Sequence, residues 1–294
     1  MVFKIKTVLF VTLGVVFLSL LVARGSVAVD APEKDVDDIE FAIGTWDPSL
    51  LEIIEAGPRI LTRDVVFDVA APPSNDSEIT RLELDNLLAI QEAERSDEEI
   101  KRIVFEHTGK KAHQIFEHEG LLNQDNYKTN QLMTMIDVDH SYFILERKKH
   151  FARARPNQLD ENIKTVLPNP GHAAYPSGHA SQLYMVALVL SDFDPENEMI
   201  YKQFAYDVTH RREIAGFHYV SDSIAGRKLA VDVLAKLREN LIFEKKYQDA
   251  KASYTKPSAE AILKYKDYLA ARGEAVPLMP EVAAEWQEIG FKPK

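Results

Sequence analysis

Two histidines in the second half of the chain have neighbours suited to proton transfer or nucleophilic attack. His218 precedes Asp222 by four residues, so the carboxylate can accept one ring N–H and leave the other ring nitrogen free to attack. His179 directly follows Ser177 and Gly178. Ser177 suits a helix N-cap, and Gly178 lets an anion approach the free N–H groups of the first turn. A histidine beside that anion could protonate a leaving oxygen.

Three cationic residues accompany these histidines. Lys148 and Arg155 are seven positions apart, which predicts one helical face, and Pro156 predicts that the helix ends just after Arg155. Arg212 is the third cation. Taken singly, each cluster has an ordinary explanation: a solvated helix end, a capped turn, or an incidental His–Asp pair. Together they supply what phosphoryl transfer requires, which is neutralised charge, an in-line nucleophile and an acid.

The order and spacing of these segments resemble the three-part signature of the phosphatidic acid phosphatase type 2 superfamily. Within it the greatest likeness is to bacterial class A non-specific acid phosphatases, and it covers roughly residues 130–240. One departure is Arg211, which stands where a serine usually precedes the motif arginine and could add a fourth positive charge at the rim. The segments that carry the resemblance are Lys148-x6-Arg155-Pro156, Pro176-Ser177-Gly178-His179 and Arg212-x5-His218-x3-Asp222.

The resemblance implies a role for each residue of the signature. His218 is expected to be the nucleophile and to become phosphohistidine, oriented by Asp222. His179 is expected to protonate the departing alcohol and then to activate water. The phosphoryl oxygens are expected to be held by Lys148, Arg155, Ser177, the Gly178 N–H and Arg212. This chemistry needs no metal and no cofactor, and vanadate is expected to inhibit it.

Three alternatives remain open on the sequence. A vanadate-dependent haloperoxidase shares the signature and would use vanadate as its cofactor, although such enzymes are typically much longer than 294 residues. A soluble enzyme could instead accept lipid phosphates. A phosphate-binding protein would need only the cations, so the intact His179, His218 and Asp222 argue against it.

The elements around these motifs are predicted to be helical, and the expected fold is an all-α single helical bundle of the acid phosphatase/vanadium haloperoxidase type. No stretch shows the sustained alternation of half-buried strands. The Ser96-Asp97-Glu98-Glu99 capping box opens one predicted helix, and the apolar run from Leu183 to Leu190 fits a buried one. Other helices are expected over residues 128–153, 222–243 and 258–272, and residues 70–77 are expected to be a linker.

The predicted domain organisation begins with an export signal. Residues 1–28 contain a short basic start, an apolar run from Val8 to Val22 and small residues before a cleavage point. Residues 29–49 are predicted to be an acidic flexible arm, residues 50–254 a helical phosphatase domain, and residues 255–294 a peripheral C-terminal helix and tail. The expected location is periplasmic or secreted, without integral membrane insertion once the signal is removed.

The amino-acid composition argues against several classes of binding partner and site. The formal net charge of −11 makes nucleic acid and anionic membranes unexpected partners, and small phosphorylated substrates are expected instead. The absence of cysteine excludes disulfides, zinc–thiolate sites and cysteine nucleophiles. No metal site is expected, since His107, His113 and His118 are not spaced as a metal pair and are predicted to lie at the surface. The resemblance leaves a homo-oligomer open.

Overall fold

The computed structural model describes residues 36–272, and the regular structure in that range is helical apart from one isolated antiparallel bridge between Glu40 and Arg153. The all-α prediction is therefore confirmed for this part of the chain. The α-helices are α1 (Pro48–Ala56), α2 (Glu78–Glu94), α3 (Asp97–His107), α4 (Ala112–His118), α5 (Tyr127–Phe151), α6 (Pro156–Leu159), α7 (Gly178–Phe193), α8 (Glu198–Ile214), α9 (Val220–Arg238), α10 (Leu241–Ala252) and α11 (Ala259–Arg272).

Helix α7 is the central element. The predicted apolar run lies within it, and Leu183, Val189 and Leu190 are fully buried. Because α7 is apolar nearly all round, it must be covered on several sides, and α8, α9 and α5 pack against it. This packing brings together the start of α7, the end of α5 and the connection from α8 to α9, which carry the three predicted motifs.

Several helix boundaries agree with the sequence prediction. Ser96 is the N-cap of α3, and its hydroxyl accepts the backbone N–H of Glu99 at 3.2 Å. Ser177 is the N-cap of α7 and accepts the N–H of Ala180 at 3.4 Å. The stretch 70–77 contains no helix and leads into α2 at Ser77, and α11 occupies most of the predicted last helix.

The prediction that Lys148 and Arg155 share one helix face is wrong. Helix α5 ends at Phe151, where Ala152 adopts a left-handed conformation with φ of 47° and turns the chain. Arg155 is the N-cap of the short helix α6, and Pro156 is that helix's first residue. Proline suits the first turn because its fixed φ is helical and its missing N–H would have no partner there. Pro156 thus begins a helix and does not end one.

The predicted helix over 222–243 is two helices. Tyr219 is the N-cap of α9, so Asp222 lies in the first turn and does not open the helix. Asn240 caps α10, since its side-chain oxygen accepts the N–H of Ile242 at 3.0 Å and that of Phe243 at 3.1 Å. This local hydrogen bonding competes with helix continuation. Leu241, the first residue of α10, is 86% exposed.

Both ends of the described range depart from the predicted domain organisation. The acidic arm was predicted to be flexible, but Phe41 and Trp46 are buried and the Phe41 N–H donates to the Ala152 carbonyl at 2.8 Å. Helix α11 is not peripheral, since Ile262 and Tyr265 are buried in the main core. The predicted signal over 1–28 and the tail after 272 lie outside the described residues. Within residues 36–272, no helix is both long enough and apolar enough to span a membrane.

We expect Gly226→Ala to destabilise the protein, because α9 crosses the start of α7 at this glycine. A β-carbon at position 226 would lie 2.5 Å from the Ser177 carbonyl oxygen, which is backbone and cannot swing away. Urea unfolding should show a loss of about 1–3 kcal/mol, the usual cost of overpacking. Gly44→Ala is the matched control, since nothing lies within 4 Å of its added β-carbon. Equal stability of the two variants would contradict the close packing of α9 on α7.

Candidate active site

The structure brings the predicted site residues together beneath the start of α7. Most of them are buried, while Gly178 and His179 are half-buried. The N–H of Ser177 donates to the Asp222 carbonyl at 2.8 Å, which joins the second motif to the third. Arg155 of the first motif lies 3.2 Å from His218 of the third, measured from Nη1 to Nε2. The three motifs therefore form one site although each of them spans a helix end and a loop.

His218 is held in one tautomer by two independent contacts. Its Nδ1 lies 2.9 Å from Asp222 Oδ2, and a carboxylate can only accept, so Nδ1 carries the hydrogen. Its Nε2 lies 3.2 Å from Nη1 of Arg155, and a guanidinium can only donate, so Nε2 carries the lone pair. The ring thus presents a free nitrogen toward the cationic side of the site, as a nucleophile requires.

The surroundings of His218 favour its neutral form. Burial holds the pKa of His218 well below its usual range, and the positive charges of Arg155 and Lys148 lower that pKa further. The N–H of Tyr219 donates to the same Asp222 oxygen at 3.2 Å, which fixes the carboxylate at the start of α9. His218 is therefore both oriented and deprotonated at neutral pH.

His179 lies in the first turn of α7, beside the same cations. Its Nε2 is 3.4 Å from the Glu106 carbonyl oxygen. Burial lowers the pKa of His179 well below its usual range, and the charge of Arg212 lowers that pKa further. The charges of His179 and His218 also influence each other, so the two rings belong to one site.

Lys148 and Arg155 donate hydrogen bonds to backbone carbonyls of the loop that precedes α7, and Arg155 also donates to one in the connection from α8 to α9. The Lys148 ammonium donates to the carbonyls of Ala173 and Ala174 at 2.9 and 2.8 Å. Arg155 donates to the carbonyls of Phe217 at 2.7 Å and His172 at 2.8 Å. These contacts set the direction of both side chains before any substrate is bound, so little ordering remains to be done on binding.

Arg212 is the cation with unused hydrogen-bond donors. Its Nη2 lies 2.9 Å from His107 Nδ1, whereas Nε and Nη1 are buried without a hydrogen-bond partner among the described residues. Burial lowers the pKa of Arg212 to about 10 and that of Arg155 to about 9. Both stay charged at neutral pH, and buried unpaired cations demand an anion. The N–H groups at the start of α7 add to the same attraction.

Arg211 does not provide a fourth charge at the rim. Its side chain is 2% exposed, and Nη2 lies 2.7 Å from Glu106 Oε1. Glu99 lies 3.8 Å from Nη1 on the same side. Because α8 is helical here, consecutive residues point in different directions. Arg212 therefore faces the site while Arg211 is neutralised behind it.

Two histidines near the site were missed by the sequence analysis. His107, predicted to lie at the surface, contacts Arg212 and stacks on Phe217 with ring centroids 5.5 Å apart. His172 Nδ1 lies 3.0 Å from Nη2 of Arg155. No spacing relates His107 to the third motif, because its partner is 105 residues away. His113 is also buried, and only His118 of that group is exposed.

Among residues 36–272, no group of three or more histidine, aspartate or glutamate side chains could hold a metal ion. The site instead presents cationic and N–H donors to an anion. Such donors fit a phosphoryl group, whose oxygens accept hydrogen bonds.

The chain resembles curated phosphatases in sequence over less than half of its length. A non-specific acid phosphatase of Providencia stuartii is 38% identical over 141 residues, which are 46% of this chain and 57% of that protein. A non-specific acid phosphatase of Salmonella typhi is 31% identical over 121 residues, 40% of this chain and 48% of that protein. The matches thus span about half the length of these relatives. No protein-family model matches the chain.

Two solved structures are similar at a lower level. A bacterial vanadium-dependent iodoperoxidase superposes with a TM-score of 0.46 at 20% identity, over 60% of this chain and 52% of that one. A transmembrane PAP2-type phosphatidylglycerolphosphate phosphatase from Bacillus subtilis gives 0.41 at 13% identity, over 68% and 94%. The curated relatives confirm the predicted resemblance to non-specific acid phosphatases.

We expect His218 to remain neutral in the ligand-free protein at pH values where an ordinary histidine is half protonated. Burial and the nearby cations place its pKa well below the usual 6.5. A pH titration followed by side-chain ¹⁵N NMR measures this directly, with the resonances assigned by comparison with His218→Asn. Half-protonation at pH 6.5 or above would contradict the electrostatics of the site.

Proposed function

We propose that this protein is a phosphomonoesterase that forms a phosphohistidine on His218 without using a metal. The observation that carries the proposal is the His218 tautomer, with Nδ1–H directed at Asp222 and the free Nε2 beside Arg155. A histidine that only bound phosphate would donate a hydrogen bond to it, and Nε2 of this tautomer has none to donate. A nucleophile needs that lone pair.

In the first step, the Nε2 lone pair attacks phosphorus and the bond from phosphorus to the ester oxygen breaks. The leaving oxygen takes the proton of His179 and departs as the alcohol. The phosphoryl oxygens receive hydrogen bonds from Arg212, from Arg155 and from the N–H groups at the start of α7. The Nη1–H of Arg155, which points at Nε2 in the free protein, donates its hydrogen bond to a phosphoryl oxygen instead. Such preorganised donors stabilise the charge of the transition state.

In the second step, His179 accepts a proton from water as the water oxygen attacks phosphorus. The bond from phosphorus to Nε2 breaks, inorganic phosphate leaves, and His218 regains its lone pair. His179 must be protonated in the substrate complex for the first step and unprotonated for the second, although burial and Arg212 lower its pKa in the free protein. A bound phosphate dianion offsets the cations and raises that pKa, so the substrate itself prepares the acid.

The proposed substrates are small phosphate monoesters, and the proposed setting is outside the cytoplasm, periplasmic or secreted. Support comes from the curated relatives, which are non-specific acid phosphatases. The same donors fit vanadate, which has the shape and charge of phosphate. In this proposal vanadate is therefore a competitive inhibitor.

The first test is p-nitrophenyl phosphate hydrolysis by the purified protein in EDTA. We expect turnover that vanadate inhibits, and a loss of at least about 10³-fold in His218→Ala because the nucleophile is gone. His150→Ala is the matched control, since His150 is an exposed histidine of α5. Quenched wild-type reactions should yield a phosphoenzyme that is labile to acid and stable to alkali. Hydrolysis that survives in His218→Ala would refute the phosphohistidine route.

A second variant separates the proposed roles of His179. We expect His179→Ala to lose roughly 10²- to 10⁴-fold with alkyl phosphates, whose leaving group needs a proton. The loss of phosphoenzyme formation should be much smaller with p-nitrophenyl phosphate, because nitrophenolate leaves readily without one. Rapid-quench measurement of phosphoenzyme formation checks this. An equal loss with both leaving groups would show that His179 is not the general acid.

A further inference from the structure

The second oxygen of the Asp222 carboxylate has a partner that is not one of the named signature residues. While Oδ2 faces His218, Oδ1 accepts a hydrogen bond from Nη1 of Arg153 at 2.6 Å. The side chain of Asp222 is 0% exposed and that of Arg153 is 1% exposed. A carboxylate buried to this degree stays ionised only if it is paired and hydrogen-bonded. Arg153 is the cation that makes this direct contact.

Arg153 is in turn held by a second carboxylate and by the first turn of α9. Its Nη2 lies 3.1 Å from Glu83 Oε2, and its Nη1 donates to the Ser221 hydroxyl at 2.8 Å. The guanidinium also lies over the Tyr219 ring, 3.9 Å from its centroid. Burial lowers the pKa of Arg153, but the carboxylates of Asp222 and Glu83 outweigh burial and raise it above its usual value.

Glu83 reaches this cluster from α2, 138 residues before Ser221 in the chain. Its oxygens accept the backbone N–H of Ser221 at 2.6 Å and the Ser221 hydroxyl at 2.9 Å. Burial raises the pKa of Glu83, although the positive charge of Arg153 acts to lower it. Since each of its neighbours here donates, Glu83 acts as an ionised acceptor. It ties α2 to the helix turn that carries Asp222.

We propose that Arg153 and Glu83 are positioning residues that hold the Asp222 carboxylate against Nδ1 of His218 and thereby keep the Nε2 lone pair free. The proposal rests on the proposed function of His218. Neither residue belongs to the phosphate-binding signature, and the Arg153 hydrogen bonds go to Glu83, Ser221 and Asp222. Its Nε is buried and has no partner among the described residues.

The other charges around Asp222 do not replace Arg153 during the reaction. Arg155 and Lys148 also interact with the Asp222 charge, but both face the phosphoryl group, whose negative charge offsets theirs. Tyr175, Tyr219 and Glu83 add no positive charge. Without Arg153, the buried Asp222 carboxylate loses its direct cationic partner, and Oδ2 is no longer held in place as the acceptor of the Nδ1 hydrogen. The ring hydrogen moves to Nε2, and a protonated Nε2 cannot attack phosphorus.

The test compares Arg153→Met, Arg153→Lys and the control Arg81→Met in the full chain. Arg81 is also an arginine beside a glutamate, but its side chain is 67% exposed on α2. In Arg153→Met we expect kcat for p-nitrophenyl phosphate to fall by at least about 10²-fold, since a wrong histidine tautomer is severely costly to catalysis. Inhibition by inorganic phosphate should stay within about 3-fold, since the phosphate donors remain in place. Arg153→Lys should restore part of kcat by restoring the charge.

Side-chain ¹⁵N NMR supplies a readout that a purely structural role would not move. With inorganic phosphate bound, so that Arg155 donates to the anion and not to Nε2, we expect the His218 hydrogen on Nδ1 in the wild type and in Arg81→Met, and on Nε2 in Arg153→Met. If Arg153→Met fails to fold, Glu83→Gln tests the same link, because its amide keeps the shape and removes the charge that orients Arg153. An unchanged tautomer in the folded variants, or a phosphate Ki weakened as much as kcat, would overturn the proposal. The tautomer can be measured even if the wild type hydrolyses no ester. Failure of the phosphatase proposal is therefore distinguishable from failure of the positioning proposal.

Discussion

Lys148, Arg155 and Arg212 are buried close enough together that their charges act on one site. Like charges in a low-dielectric interior repel strongly. Burial is the main cause of the lowered pKa of Lys148 and Arg155, and repulsion adds to it, from Arg155 on Lys148 and from Arg212 on Arg155. The fold tolerates the cluster because backbone carbonyls accept from Lys148 and Arg155. A bound anion of the right size would offset the positive charge that these carbonyls leave uncompensated. The attraction for phosphate is thus built into the folded state.

The surrounding carboxylates are arranged so that they compensate charge without filling the anion site. Glu106 neutralises Arg211 behind α8, and Glu83 pairs with Arg153 beside α9. Of these three carboxylates, Asp222 is the one that contacts His218, at Nδ1. This separation explains how a chain of net charge −11 can present a cationic site.

Helix α7 connects the packing of the core to this electrostatic arrangement. Its apolar length is buried, and its first turn points N–H groups at the place where the cations converge. Gly226 lets α9 approach that turn closely enough for Ser177 to donate to the Asp222 carbonyl. Stability and function therefore depend on the same contact between α7 and α9.

The sequence by itself determined the identity of the chemical groups. His218 and Asp222 lie four residues apart on either side of the N-cap of α9, so the local geometry of that helix start places the pair in contact. Ser177 and Gly178 likewise identify the start of α7 through capping chemistry that acts within three residues. The helical class followed from apolar periodicity, which is also a local property.

The tertiary structure decided everything that depends on residues distant in the chain. Arg155 reaches the site from the start of α6 because Ala152 reverses the chain, and neither local propensity nor spacing indicated that turn. Glu83, Arg153 and His107 acquire roles only through partners that lie 69 to 138 residues away. Such contacts are set by how the helices pack around α7, and helix packing depends on the whole core. That is why the sequence indicated the reacting groups but not the residues that hold them.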